Sequence, residues 1–138
     1  MIFAVLDGTS TDLDVTRTAS QIGKHSKLRV VLLYVIEIGR DRPVDQEISE
    51  KTLKGEEVLS NMEKLAKNFK VKTAGQLLQA RSRGSAVVAH CKDEEADMIV
   101  VASPGSTRFG EFSLGESLEY ILSNATCKVV TCRSSISI

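Results

Sequence analysis

The sequence predicts an α/β fold in which a parallel β-sheet is covered by helices on both faces. Nearly continuous runs of Val, Ile, Leu and Ala recur at Met1–Leu6, Leu28–Ile36 and Met98–Ala102, each as long as a strand and too short for a helix. Stretches with apolar residues at helical spacing separate them. The third run opens into a glycine-bearing loop, and a further helical stripe begins just after Gly115. A strand, a loop and a helix in that order turn free backbone N–H groups toward an anion or nucleotide at the carboxyl end of the sheet.

Each element follows from its local pattern. The first apolar run, MIFAVL, suits a strand buried on both faces and stops at Asp7-Gly8-Thr9-Ser10. Val15, Ala19 and Ile22 set a helix over Thr11–Lys24, with Thr9, Ser10 or Thr11 as N-cap and Gly23 near the end. LRVVLLYVI at 28–36 is the second strand, and Glu37–Asp45, with Gly39 and Pro43, is a charged loop at its carboxyl end. Ile48, Thr52, Gly55, Leu59, Met62, Ala66 and Phe69 mark one face of a helix of about six turns. Lys72–Ala80 alternates weakly and ends at Arg81-Ser82-Arg83-Gly84, which suits an outer strand. Val87, Val88 and Cys91 give a short helix before the strand Met98–Ala102. Leu114, Leu118, Ile121, Leu122 and Ala125 form the last helical stripe, and Cys127–Cys132 the last strand.

A chain of 138 residues is read as one domain, 1–138, able to bury about two thirds of its unfolded surface. Lys plus Arg and Asp plus Glu both number 18, so no overall basic field draws nucleic acid or an anionic membrane. With no Trp, two Tyr and four Phe, stacking platforms for single strands are absent too. The apolar runs fall far short of the roughly 20 residues that span a bilayer. No basic segment, apolar core and cleavage site open the chain, so a soluble, cytoplasmic protein without direct membrane insertion is expected. Cys91, Cys127 and Cys132 make an odd count without a CxxC, which reads as packing residues, and His25 and His90 stand alone as structural or solvated side chains.

Several enzyme motifs fail on inspection. Gly105 and Gly110 have the spacing of a Walker loop, but Glu111-Phe112 stands where Lys and Ser or Thr are needed. The dinucleotide fingerprint is absent. Val5-Leu6-Asp7-Gly8-Thr9 is similar to the first motif of haloacid-dehalogenase-type phosphatases, yet valine occupies the nucleophile's position and cannot attack phosphorus.

One pattern runs through the chain: a strand ending in Asp7-Gly8-Thr9, a second ending in Tyr34-Val35-Ile36-Glu37, then Ala96-Asp97-Met98-Ile99-Val100-Val101 and the C-terminal glycine loop. Taken together over roughly residues 2–133, these pieces resemble the universal stress protein family. The resemblance implies a Rossmann-like open five-stranded parallel sheet in the order 3-2-1-4-5, dimer pairing through the last strand Cys127–Cys132, and ATP or a related adenine nucleotide, with or without magnesium, in the crevice of nucleotide-binding members. Asp7 and Val35 would match the adenine contacts. Val101, Ala102 and Gly105, and Gly115, Glu116 and Ser117, would match the ribose and phosphate contacts. Family members that bind nucleotide carry G-x2-G-x9-G followed by Ser or Thr; here the frame is Ala102-x2-Gly105-x9-Gly115-Glu116.

The two departures have physical consequences. Ala102 adds one methyl, which is tolerated if the backbone is extended there and obstructive if a positive φ is required. A Glu116 carboxylate about 5 Å from a phosphate charge opposes binding by roughly 3 kcal/mol at an effective dielectric near 20. Ser113-Leu114-Gly115-Glu116 also reads as a capping box, in which Glu116 returns to the Ser113 N–H. Arg108 is either a solvated side chain or a partial counter-charge, and Asp7 either a turn residue or an adenine contact.

Expected, then, is a non-enzymatic, dimeric stress-response or regulatory module that binds ATP. The alternative is a nucleotide-free protein-interaction module of the same fold, which includes the regulatory domain of a membrane transporter, covalently linked and cut from a longer chain.

Overall fold

A computed structural model describes residues 1–103, 106–108, 111–113 and 115–133. In chain order the elements are β1 (Ile2–Leu6), α1 (Thr11–Ser26), β2 (Val30–Glu37), α2 (Ser49–Lys67), β3 (Thr73–Ala80), α3 (Arg83–Asp93), β4 (Met98–Ala102), β5 (Ser106–Arg108), β6 (Glu111–Ser113), α4 (Glu116–Asn124) and β7 (Lys128–Cys132). Five strands make one sheet in the order β3-β2-β1-β4-β7, all parallel. With β7 as the fifth strand, this is the 3-2-1-4-5 order.

The continuous apolar runs follow from burial on both faces. Phe3 and Val5 of β1 pack with Val31, Leu33, Val35, Ile99 and Val101 in one cluster, which Val87 and Cys91 of α3 and Leu118 and Ile121 of α4 close over. Ile2, Ala4 and Leu6 point the other way, into a second cluster with Val30, Leu32 and Val100, covered by Val15 and Ala19 of α1 and Leu59 of α2. Alternate residues of one strand therefore serve opposite layers. Each buried Val, Leu, Ile or Phe among them contributes about 1.5–3 kcal/mol.

Close approaches seat the helices. A Cβ at Gly55 would lie 2.6 Å from Leu77 Cδ1 and 3.0 Å from Tyr34 Cδ1, so α2 rests directly on β2 and β3 there. His90, beside Gln76 Oε1 at 2.6 Å and edge-on to the Phe3 ring, is a packing residue.

The structure alters four expectations. Helix α2 has 19 residues, nearer five turns than six, because Ile48 is its N-cap and Phe69 lies beyond its end. Leu122, placed on the buried stripe of α4, is 47% exposed, while Leu118 and Ile121 carry the contact. The loop after β4 contains an antiparallel pair, β5 with β6, that no periodicity announced. The capping box is out of register: α4 begins at Glu116 with Gly115 as N-cap, φ +85° and no side-chain cap bond, and Ser113 belongs to β6. A glycine that turns with positive φ sets the helix start two residues later than S-x-x-E suggests. Leu114, Gly105 and Gly110 lie outside the described residues.

Candidate functional site

The sheet opens at its switch point. Strands β1 and β4 pair at Ile2 with Met98, Phe3 with Ile99 and Ala4 with Val100, and there the pairing stops. By contrast β1 stays paired with β2 as far as Leu6, and β4 with β7 as far as Ala102. The two central strands thus part over their last residues, and a crevice forms between their carboxyl ends, where parallel open sheets place ligands.

A cavity of about 160 Å³ in this crevice is lined by Asp7, Val101, Ala102, Gly115, Glu116 and Ser117 among others. It brings together six of the eight residues singled out from the sequence. Val35 stands apart: it is buried in the core and borders a neighbouring cavity of about 390 Å³ with Tyr34, Glu37, Lys51 and Lys54. Gly105 lies outside the described residues.

The turn after β1 is built around two carboxylates. Asp7 Oδ1 accepts the Thr9 N–H at 3.0 Å and the Thr9 hydroxyl at 2.6 Å. Asp12, in the first turn of α1 and only 3% exposed, accepts the N–H groups of Asp7 and Gly8, each at 2.9 Å. Gly8 makes the reversal with φ +82°. Burial works against ionisation of Asp7, but the Thr9 hydrogen bonds, a proton from Asp12 and the Arg83 charge outweigh it and hold its carboxyl below the ordinary value. Burial pushes Asp12 up to about 6, reinforced by the charge of Asp7 and opposed by the two N–H bonds. One carboxylate is kept charged at the crevice, and its neighbour is inclined to hold a proton.

Arg83, the first residue of α3, lines both cavities and is the residue the sequence reading missed. Its Nη1 lies 3.8 Å from Glu37 Oε1, while its buried Nε has no hydrogen-bond partner among the described residues. Gly84 makes this position possible: a Cβ there would stand 3.0 Å from Tyr120 Cβ and 3.1 Å from Ser117 O. The missing side chain lets the starts of α3 and α4 meet, so Arg83 and Glu116 face one crevice. Arg83 thus brings a cation to the crevice from α3; the side chain of Arg108 lies outside the described residues.

The Ala102 question resolves on geometry. Ala102 is the last residue of β4, paired with Cys132, and is not among the residues of positive φ. Its backbone is extended, and the methyl costs nothing in conformation. Glu116 is exposed at the first position of α4.

Other chemistry is sparse. Burial, with the charge of Cys127, pushes the Cys91 thiol up to about 12, which keeps it protonated at neutral pH. Among the described residues no cluster of three His, Cys, Asp or Glu is arranged to hold a metal, and no helix is long and apolar enough to cross a membrane.

Comparison with known proteins agrees with this architecture. The universal stress protein MJ0531 of Methanocaldococcus jannaschii is 27% identical over 130 residues, which span 90% of this chain and 76% of that one. The universal stress protein of Archaeoglobus fulgidus superposes with a TM-score of 0.80 at 17% identity, covering 94% of this chain and 96% of that one. The structure of the universal stress protein from Archaeoglobus fulgidus in complex with dAMP gives 0.75 at 18% identity, covering 94% of each chain. The family model described as the universal stress protein family matches residues 1–133, and the chain belongs to that family.

Proposed function

We propose that residues 1–138 form one domain that binds an adenine nucleotide, ATP or a relative of it, in the crevice between β1 and β4, and that it works as a non-enzymatic, dimeric regulatory module. The observation that carries this is the grouping of Asp7, Gly115, Ser117 and the half-buried Arg83 around strands that part at their carboxyl ends. An archaeal protein of the same fold is solved with dAMP. In this reading Asp7 and the backbone at Val35 take the base. Val101, Ala102 and Gly105 take the ribose and phosphates, together with the N–H groups of Gly115, Glu116 and Ser117. Arg83 supplies a counter-charge between them. Magnesium would relieve part of the repulsion from Glu116.

The proposed dimer forms along β7. It is an edge strand whose Val129, Val130 and Cys132 are half-buried, and a second copy would pair its free backbone groups. A monomeric mass at micromolar concentration in light scattering would remove this part of the proposal.

A second reading is favoured by Glu116. Glu116 lines the crevice proposed to take the phosphates, and an acid at that position suits a nucleotide-free module that works through protein contacts, including attachment to a transporter.

Calorimetric titration with ATP and magnesium, on the parent chain and on Glu116→Ser, separates the two. Because Glu116 is exposed, solvent reduces the bare Coulomb penalty, and the substitution is expected to raise affinity about tenfold. A saturable isotherm in the variant supports the nucleotide reading; undetectable binding in both proteins at millimolar ATP would replace it with the second.

A further inference from the structure

At the opposite, amino end of the sheet the chain holds a second concavity, of about 320 Å³, ringed by Lys24, Lys27, Arg29, Lys70 and Lys72. None of its lining residues is acidic. The five cations have no ion-pair partner among the described residues, although the whole chain is electrically balanced at 18 against 18. Like charges gathered without counter-charges repel one another, which works against the folded chain.

The fold brings them together through two turns. A Cβ at Gly23 would lie 3.2 Å from Val71 Cγ2 and 2.8 Å from Leu28 O, so the turn after α1 and the turn after α2 meet across that glycine. The Val30 N–H donates to Lys72 O at 2.8 Å, which sets Arg29 and Lys72 on adjacent strand starts. Lys27 and Lys70 are both left-handed, with φ +58° and +56°, in a conformation that glycine or asparagine normally takes at helix ends. Lysine is tolerated at both despite that preference.

Cations near helix C-termini favour the helix dipole, which accounts for Lys24 and Lys27. That effect fades within the last turn. It leaves Arg29 and Lys72, at strand starts, and Lys70, three residues past α2, without a reason.

We infer that this concavity binds a small polyanion carrying two or more phosphate groups, separate from the crevice at the carboxyl end. Its volume falls in the range of small-molecule sites, about 300–1,000 Å³, and its concave form suits a compact ligand better than a flat lipid surface.

The test titrates the intact chain with inorganic tripolyphosphate and follows backbone amide shifts. Saturable shifts at residues 23–30 and 70–73 are expected, with affinity falling about tenfold between roughly 50 and 300 mM salt. Lys27→Gly with Lys70→Gly removes two charges and gives both left-handed positions the residue that adopts them most readily. Its melting temperature is expected to hold while affinity falls about tenfold. Lys24→Gln with Lys72→Gln, at two exposed side chains, provides the same loss by an independent route. Three results would overturn the inference: no saturable shifts in the two turns, shifts confined to the carboxyl-end crevice, or unchanged affinity in both double variants. So would co-sedimentation with phosphatidylglycerol vesicles in the absence of saturable tripolyphosphate binding, which would assign the cations to a membrane surface.

Discussion

The carboxylate of Asp12 accepts the backbone N–H of Asp7 at 2.9 Å and so ties the end of β1 to the first turn of α1. The neighbouring Gly8 N–H, held by the other oxygen, completes a clamp on the backbone that carries Asp7, a residue lining the crevice. The link runs from a buried acid to the position of a half-buried one. Without it, the turn would keep its glycine but lose the bonds that hold its backbone in one conformation.

This clamp has a pH signature. Asp12 is raised to about 6 in the folded chain against an ordinary 3.8, so the native state keeps a proton that the unfolded state has released between those values. Its contribution to stability is fully present below about pH 4 and is lost as pH rises through about 6. The lost contribution is roughly 2 kcal/mol. Asp7, held low, acts in the opposite sense, with stability present above 3.8 and lost below it. Asp12→Asn presents only one acceptor oxygen, leaves one of the two N–H groups facing an amide, and costs about 1 kcal/mol at pH 4. Urea denaturation across pH 4 to 7 should then show the gap between parent and variant closing as pH rises and reversing near pH 7, where the variant becomes the more stable by about 1 kcal/mol; a constant gap would mean that Asp12 ionises normally.

Gly84→Ala tests the contact that brings Arg83 to the crevice. Alanine ordinarily gains up to about 1 kcal/mol over glycine inside a helix. Here the new methyl would meet Tyr120 Cβ at 3.0 Å and the Ser117 backbone at 3.1 Å, and overpacking of that kind costs about 1–3 kcal/mol. The net expectation is a loss of about 1 kcal/mol in urea, together with weaker adenine nucleotide binding as α3 and α4 move apart. A gain in stability would show that the two helix starts yield freely.

The sheet was legible because strands buried on both faces leave unbroken apolar runs, as in residues 1–6 and 28–36. The site was legible only where neighbours in sequence are neighbours in space. Asp7 follows a strand, and Gly115 precedes a helix. Arg83 was passed over as part of a charged turn, since nothing local says that α3 starts beside α4; that follows from Gly84 meeting Ser117 across the fold. Nothing local sets Asp12 apart from any acid in a first helical turn, because its burial is a tertiary fact. The S-x-x-E pattern at Ser113 misled for the converse reason: the local signal was sound, but the positive φ of Gly115 moved the cap.

Ala102→Gly separates the two departures from the glycine-loop frame. Because Ala102 closes an extended strand and is only 8% exposed, glycine there gains no conformation that binding needs, and it removes a packed methyl. The substitution should cost about 1–2 kcal/mol in urea, from the lost methyl burial and the added chain entropy. ATP affinity should stay within about threefold of the parent, since an extended backbone already presents its groups to the crevice. Paired with Glu116→Ser in the same titration, the result decides which residue restrains the site. A larger gain from Ala102→Gly than from Glu116→Ser would place the obstacle in the methyl, on the wall formed by β4, and would make the carboxylate at the start of α4 a bystander.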